Sequence, residues 1–192
     1  MRLLKNVFLA LVLLAIALFA AAYQMPLQLE VEQSIVLPAK PEQVYKYLEN
    51  PMQWEKWSAL NTAADPTMIR MYGGPLAGAG ARMQWSGDKV GTGEVVFTES
   101  INPQVLSYTQ TDSYLDTVSE GSISLEPATG GNTLIRWKHA APVKDEPVAR
   151  LMGYWKKYKK QAELDGGLIR LKSLFEENTT GPASKRKVAS AK

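Results

Sequence analysis

The 192-residue chain has no cysteine and a single histidine, His139. Without cysteine there can be no disulfide, no thiolate nucleophile and no cysteine-based zinc site, and compartment is left open. One imidazole leaves no convincing metal site, so neither a metal nor a cofactor is expected. A catalytic histidine also needs an orienting carboxylate, and Asp145 and Glu146 lie near His139 only in sequence. It reads as a solvated loop residue after the last strand. The chain has no internal repeat. Strong charge of one sign is lacking where a domain would fold. Arg2 and Lys5 give the first 22 residues +2, and Lys185, Arg186, Lys187 and Lys192 give the last 15 residues +4, so a total of +3 leaves the middle at −3. A mildly acidic middle excludes a nucleic-acid binder, and the pI near 9.0 comes from the ends. Gly78–Gly80 and Ser86-Gly87-Asp88 have no helix after them, so they are turns rather than phosphate cradles.

Apolar runs of membrane length are absent except one. Val7 to Ala22 is an unbroken run of 16 residues behind Arg2 and Lys5. This is the pattern of an export signal, with Ala20-Ala21-Ala22 as small residues for cleavage. Extended through Tyr23, Met25 and Leu27 it is also long enough for a single-pass anchor, with Tyr23 at the interface and Pro26 ending the helix. Both readings keep Arg2 and Lys5 inside and place the domain on the outer side, periplasmic in a bacterium. The division expected is residues 1–26 as anchor or signal, 27–177 as one folded domain and 178–192 as a disordered basic tail.

Within the domain the longest feature is a helix over Asp145–Glu177. Val148, Leu151, Met152, Trp155, Tyr158 and Ala162 recur at helical spacing, and Leu164, Leu168, Leu171 and Phe175 continue with a shifted phase. Lys156, Lys157, Lys159, Lys160 and Glu163 form the opposite face, which is solvated or drawn to anionic lipid headgroups. Gly166-Gly167 interrupts the middle and marks a kink, a close approach or room for something else. An apolar stripe of this length needs a surface to cover it. The preceding chain supplies a sheet: strands over Leu27–Leu37, Thr67–Tyr72, Ala79–Trp85, Thr92–Ile101, Val105–Thr111, Thr117–Leu125 and Thr133–Lys138, separated by turn residues. Short helices over Pro41–Asn50 and Met52–Ser58 fall between the first two strands. The order predicts an α+β domain with an antiparallel meander against the long helix.

Val31–Ser58 (VEQSIVLPAKPEQVYKYLENPMQWEKWS), Tyr72–Pro103, Gly130–Trp137 (GGNTLIRW) and Glu163–Lys172 (ELDGGLIRLK) together resemble the SRPBCC, or START-like, superfamily. They are most similar to its polyketide cyclase/dehydrase and lipid-transport branch. The resemblance runs from about Leu29 to Glu177. It implies the helix-grip fold, a curved seven-stranded antiparallel sheet wrapped around the C-terminal helix with a cavity between them. It also implies a small hydrophobic ligand, lipid- or polyketide-like. Strand alternation puts Ala81, Met83 and Trp85 on one face, Val95, Phe97 and Glu99 on another, and Thr133, Ile135 and Trp137 on a third. The expected ligand-binding residues are Trp57, Tyr72, Met83, Trp85, Glu99, Tyr108, Trp137 and Trp155, with Gly166 and Gly167 leaving space beside them. An inward Glu99 needs a partner or a raised pKa. It would orient a polar ligand group or, with nearby tyrosines, serve a cyclase- or hydrolase-like enzyme. Otherwise it is an ordinary carboxylate near the Asn102 turn. No nucleophile, metal or paired acid–base set stands out, which favours a membrane-tethered binder or carrier.

Overall fold

The computed structural model describes residues 2–113 and 117–179. Helix α1 (Arg2–Ala22) is followed by β1 (Gln28–Leu37), α2 (Pro41–Leu48) and, after a 3-10 turn at Pro51–Gln53, the single turn α3 (Trp54–Trp57). Then come β2 (Ile69–Gly73), β3 (Arg82–Gly87), β4 (Gly91–Ile101), β5 (Val105–Asp112), β6 (Val118–Ala128), β7 (Asn132–Pro142) and α4 (Pro147–Thr179). The seven strands form one antiparallel sheet in the order β1-β7-β6-β5-β4-β3-β2. β2 to β7 are a meander, and the first strand closes beside the last. This is the α+β helix-grip architecture that the resemblance implies. The disordered basic tail was expected from residue 178, but Asn178 and Thr179 continue α4; the rest of it, from residue 180, lies outside the described residues.

Local chemistry explains the elements. In β1, Leu29, Val31 and Leu37 are buried while Glu30, Glu32 and Ser34 are exposed, the alternation of a half-covered strand. Pro41 opens α2, where its missing N–H is harmless, and Val44, Tyr45 and Leu48 are its buried face. Asn50 ends that run and caps the next: its Oδ1 accepts from Met52 N at 2.9 Å. The indole of Trp54 donates to Leu48 O at 2.8 Å, which folds α3 back under α2.

Three local readings need correction. β7 runs on through His139 to Pro142, paired with β1 as far as Gln28↔Pro142. His139 is therefore a buried strand residue, 1% exposed, and not a solvated loop residue. In β4 the register slips between Phe97 and Glu99. This bulge reverses the alternation, so Val95 and Phe97 point into the core and Glu99 points out. Helix α4 passes through Gly166-Gly167 without a break. It also keeps one phase. Its buried face reads Gly153, Lys160, Leu164, Gly167, Leu168, Leu171 and Phe175. Leu151, Trp155 and Tyr158 are exposed instead, while Val148 and Met152 border a groove with Leu29, Ala141 and Val143.

The register places the ends of several elements together. Gln28 pairs with Pro142, Glu120 with Ala140, Thr111 with Val118, Gly93 with Asp112 and Gly87 with Gly91. The start of β1, the end of β7, the β3–β4 turn and the ends of β5 and β6 thus share one end of the sheet. α1 enters and α4 begins at that same end: Val143 N donates to Leu27 O at 2.8 Å.

Candidate functional site: a cleft between the sheet and helix α4

The middle of the sheet-facing space is filled. Trp54 packs against Trp57, Phe97 and Tyr108 with ring centroids 5.1, 5.3 and 5.4 Å apart, and Trp57 meets Trp137 edge-on at 5.3 Å. Trp57 donates from its indole to Tyr47 O at 3.1 Å, and Trp137 donates to the Tyr108 hydroxyl at 2.8 Å. Trp54, Trp57, Trp137 and Tyr108 thus satisfy their polar atoms while adding apolar area to the core. Burial raises the pKa of Tyr108, against the opposite effect of the Trp137 hydrogen bond. Met83 is also fully buried in this cluster. The expected pocket residues Trp57, Met83, Tyr108 and Trp137 are core packing.

Gly167 belongs with them. A Cβ built on it would stand 3.0 Å from Trp137 Cζ3 and 3.7 Å from Trp57 O. The residue lets the helix backbone approach the indole closely, and the space expected there is occupied by Trp137. Gly166, one residue on, has only the far end of Arg170 near its virtual Cβ, at 3.5 Å.

Space opens toward the sheet end described above. A cleft of about 700 Å³ lies between α4 and the β3–β4 and β5–β6 ends, within the range of small-molecule sites. Trp85, Leu60, Val90, Ala162 and Gly166 give it apolar and small surfaces, and Gln110, Asp112, Lys160 and Glu163 give it polar ones. Trp85 reaches its place because Gly93 on the neighbouring strand has no side chain; a Cβ there would meet the indole Cζ2 at a distance no real contact allows. The indole N–H of Trp85 is buried with no acceptor among the described residues. Such a group is uncommon in folded proteins and marks a place where an acceptor is wanted.

The polar wall is built by α4. Lys160 is 3% exposed and its Nζ lies 3.0 Å from Glu163 Oε2 one turn later. A buried ammonium is tolerable only with such a partner. His139 lies behind it on β7, with neither ring nitrogen bonded among the described residues. Burial, and then the nearby Lys160 charge, lower its pKa to about 3, so it is neutral at pH 7. On the opposite wall Gln110 Nε2 donates to Asp112 Oδ2 at 2.9 Å, and Ser119 Oγ donates to Gln110 O at 2.9 Å.

The β3–β4 turn, which carries Val90, is pinned by Asp65. That buried carboxylate accepts from Thr67 N at 3.0 Å, Thr67 Oγ1 at 2.7 Å, Lys89 N at 2.7 Å and Val90 N at 3.1 Å. The Thr67 hydroxyl first, then the backbone N–H groups, hold its pKa well below the usual carboxylate range.

Of the residues expected to bind ligand, Trp85 and Gly166 line this cleft. Three others lie elsewhere. Tyr72 is exposed on the edge strand β2, paired only with β3. Trp155 is 56% exposed on the outer face of α4 because the helix keeps a single phase. Glu99 stands on the outer face of β4 after the bulge, where it accepts from Ser107 Oγ at 3.2 Å. The tyrosine near it, Tyr45, donates to Val105 O at 2.8 Å and meets Ser100 Oγ at 2.7 Å, so it is committed to structure. An acid–base pair of Glu99 with a tyrosine is not assembled at the cleft.

Sequence reasoning missed Lys160, Glu163, Gln110, Asp65 and the buried state of His139. One sign was available for Lys160: it is four residues before Leu164, on the same helical face. Nothing local distinguishes Asp65 or Gln110.

At the N-terminus, α1 offers 20 residues, Leu3–Ala22, long and apolar enough to cross a bilayer or to serve as a signal sequence.

Comparison with known proteins agrees with this architecture. The family model described as polyketide cyclase / dehydrase and lipid transport matches residues 28–176. No curated protein matches the sequence. Among solved structures, protein CV1439 from Chromobacterium violaceum is 22% identical, with a TM-score of 0.52 over 78% of this chain and 98% of that one. The protein of unknown function SA2116 from Staphylococcus aureus is 13% identical, with a TM-score of 0.65 over 80% and 97%. The di-domain ARO/CYC StfQ from the steffimycin biosynthetic pathway is 15% identical, with a TM-score of 0.62 over 81% of this chain and 53% of that one. At these identities the solved structures are evidence of shared fold alone.

Proposed function

Because the chain belongs to the polyketide cyclase/dehydrase and lipid transport family, we propose that it binds and carries a small hydrophobic molecule with one polar end, held at a membrane by α1. The cleft is the observation that carries this reading. Its apolar wall of Trp85, Val90, Ala162 and Gly166 suits a hydrocarbon or polyketide body. The polar end would meet the Lys160–Glu163 pair, and a ligand oxygen would give an acceptor to the Trp85 indole, which has none among the described residues. Lys160 is paired with Glu163 and Gln110 with Asp112, so these polar groups are held in place to orient a ligand. A cleft of about 700 Å³ suits a small ligand. Arg2 and Lys5 at the start of α1 favour retention on the cytoplasmic side, with the domain outside. Cleavage after Ala22 would release the same binder in soluble form.

The test is native mass spectrometry and solvent extraction of the purified full chain, followed by titration with a fluorescent fatty acid. A stoichiometric apolar ligand or saturable probe binding is expected. Gly166→Leu projects a side chain into the cleft and should weaken the probe at least tenfold while the melting temperature holds. Equal probe binding by the wild type and Gly166→Leu, with no co-purified ligand, would overturn the reading.

A further inference from the structure

The first half of α4 carries an apolar stripe that stays exposed although Val148 and Met152 border a groove with Leu29 and Val143, and Tyr154 borders Met25 and Pro26. Val148, Leu151, Met152, Tyr154, Trp155 and Tyr158 are all exposed, from 39% to 73%, within three turns of helix. Singly exposed apolar residues are ordinary, but a contiguous set with three aromatics marks an interaction surface. Lysines are interleaved with it: Lys157 and Lys159 are exposed, and Lys159 Nζ sits 5.7 Å from the centre of the Trp155 ring. Aromatic and aliphatic side chains flanked by long basic ones are the make-up of a helix lying in a membrane interface.

The position of the stripe points to the occupant. Arg150, on the same half-helix, donates from Nη1 to Tyr23 O at 2.6 Å and to Met25 O at 3.1 Å, and its guanidinium lies 5.2 Å from the centre of the Tyr23 ring. Asp145 holds the other side of that guanidinium at 2.5 Å. The residues that leave α1 are therefore clamped to α4. Tyr158 is eight residues beyond Arg150, about 12 Å along the axis. If α1 crosses a bilayer, the stripe cannot be far from its surface. Tyr23 and Leu27, at the exit of α1, are themselves exposed.

We propose that the outer face of α4 from Val148 to Tyr158 lies in the headgroup region of the bilayer that holds α1, with its lysines on anionic lipids. This rests on the reading of α1 as an anchor. The consequence is functional: the cleft opens at the sheet end where α1 enters, so docking turns its mouth toward the bilayer. A hydrophobic ligand then passes between membrane and cleft without crossing open water. A free-swinging domain on the same tether would lack that route.

The chain has no cysteine, so one introduced cysteine can carry a spin label uniquely. Full-length protein with Leu151→Cys, Tyr158→Cys or Thr129→Cys is reconstituted in vesicles of phosphatidylcholine with phosphatidylglycerol. Thr129 begins the β6–β7 turn, at the opposite end of the sheet, and each variant is first checked for an unchanged melting temperature. Labels at 151 and 158 should favour oxygen over a water-soluble nickel relaxant, reporting a depth within about 5–10 Å of the headgroup–acyl boundary. The label at 129 should remain aqueous. Adding Lys157→Glu, or replacing phosphatidylglycerol by phosphatidylcholine, should shift 151 and 158 toward water. Aqueous labels at 151 and 158 on protein that floats with the vesicles would overturn docking and leave the anchor intact. Labels shielded from both relaxants would mean a protein partner or second copy on this face, and would also overturn it. Failure to float would overturn the anchor and the docking proposal together.

Discussion

The two halves of α4 use similar side chains to opposite ends. From Lys160 to Phe175 the helix presents Leu164, Leu168 and Leu171, each at most 2% exposed, to the sheet. From Val148 to Tyr158 it presents residues equally apolar to the outside. The difference is one of phase. Carried back from Leu164, the sheet-facing row meets Lys160 and Gly153 instead of Tyr158 and Trp155. Gly153 is buried, with Val143 side-chain atoms 3.2 Å from its virtual Cβ, so the first half of the helix packs closely without a large side chain. Hydrophobicity decided that both halves have an apolar stripe. Register against the sheet decided which stripe became core.

That contrast can be broken most severely in the inner half. Leu168→Ala removes a fully buried side chain and should cost about 2–5 kcal/mol in chemical denaturation. Tyr158→Ala on the outer half should change stability by no more than about 0.5 kcal/mol. Comparable losses from both would mean that the outer stripe is covered after all. Gly167→Leu comes next. With Trp137 already 3.0 Å from its virtual Cβ, overpacking should cost about 1–3 kcal/mol. An unchanged or raised melting temperature would show free space at that point.

Beside the point where the two halves meet, His139 sets a pH dependence. The folded pKa of His139 is lowered to about 3, below its ordinary 6.5. Its contribution is therefore fully present above pH 6.5 and falls as the pH drops, because only the unfolded chain takes up the proton. The loss steepens toward about 1.4 kcal/mol per pH unit and levels off near pH 3. His139→Leu should flatten the melting-temperature profile between pH 6.5 and 4, and at pH 7 should be neutral or stabilising, since it removes two unbonded buried nitrogens. A variant with the same pH profile as the wild type would refute this. The smallest effect is expected at Gly166, where only the tip of Arg170 is near. Gly166→Ala should raise stability by up to about 1 kcal/mol, the helix gain on losing a glycine. A loss in differential scanning calorimetry would show the cleft wall to be tighter than the geometry indicates.

The sequence by itself determined the order of elements, the sheet, the long helix and the apolar N-terminal run. These follow from side-chain periodicity and turn chemistry, which are properties of neighbouring residues. Its reading of the site was weaker, and particular residues explain why. Glu99 left the inward face because one extra residue in β4 shifts every later side chain, and a bulge is defined only against the partner strand. His139 entered the core because β1 is long enough to pair with β7 down to Pro142. Trp137 turned out to be the partner of both Trp57 and Tyr108, a matter of distances between segments up to 80 residues apart. Lys160 was buried because Glu163 lay within reach and the helix met the sheet on that side. Each of these outcomes depends on which surfaces met, and only the tertiary structure decides that. The physical reason is that periodicity shows which side chains share a face, but burial and partner belong to whatever packs against it.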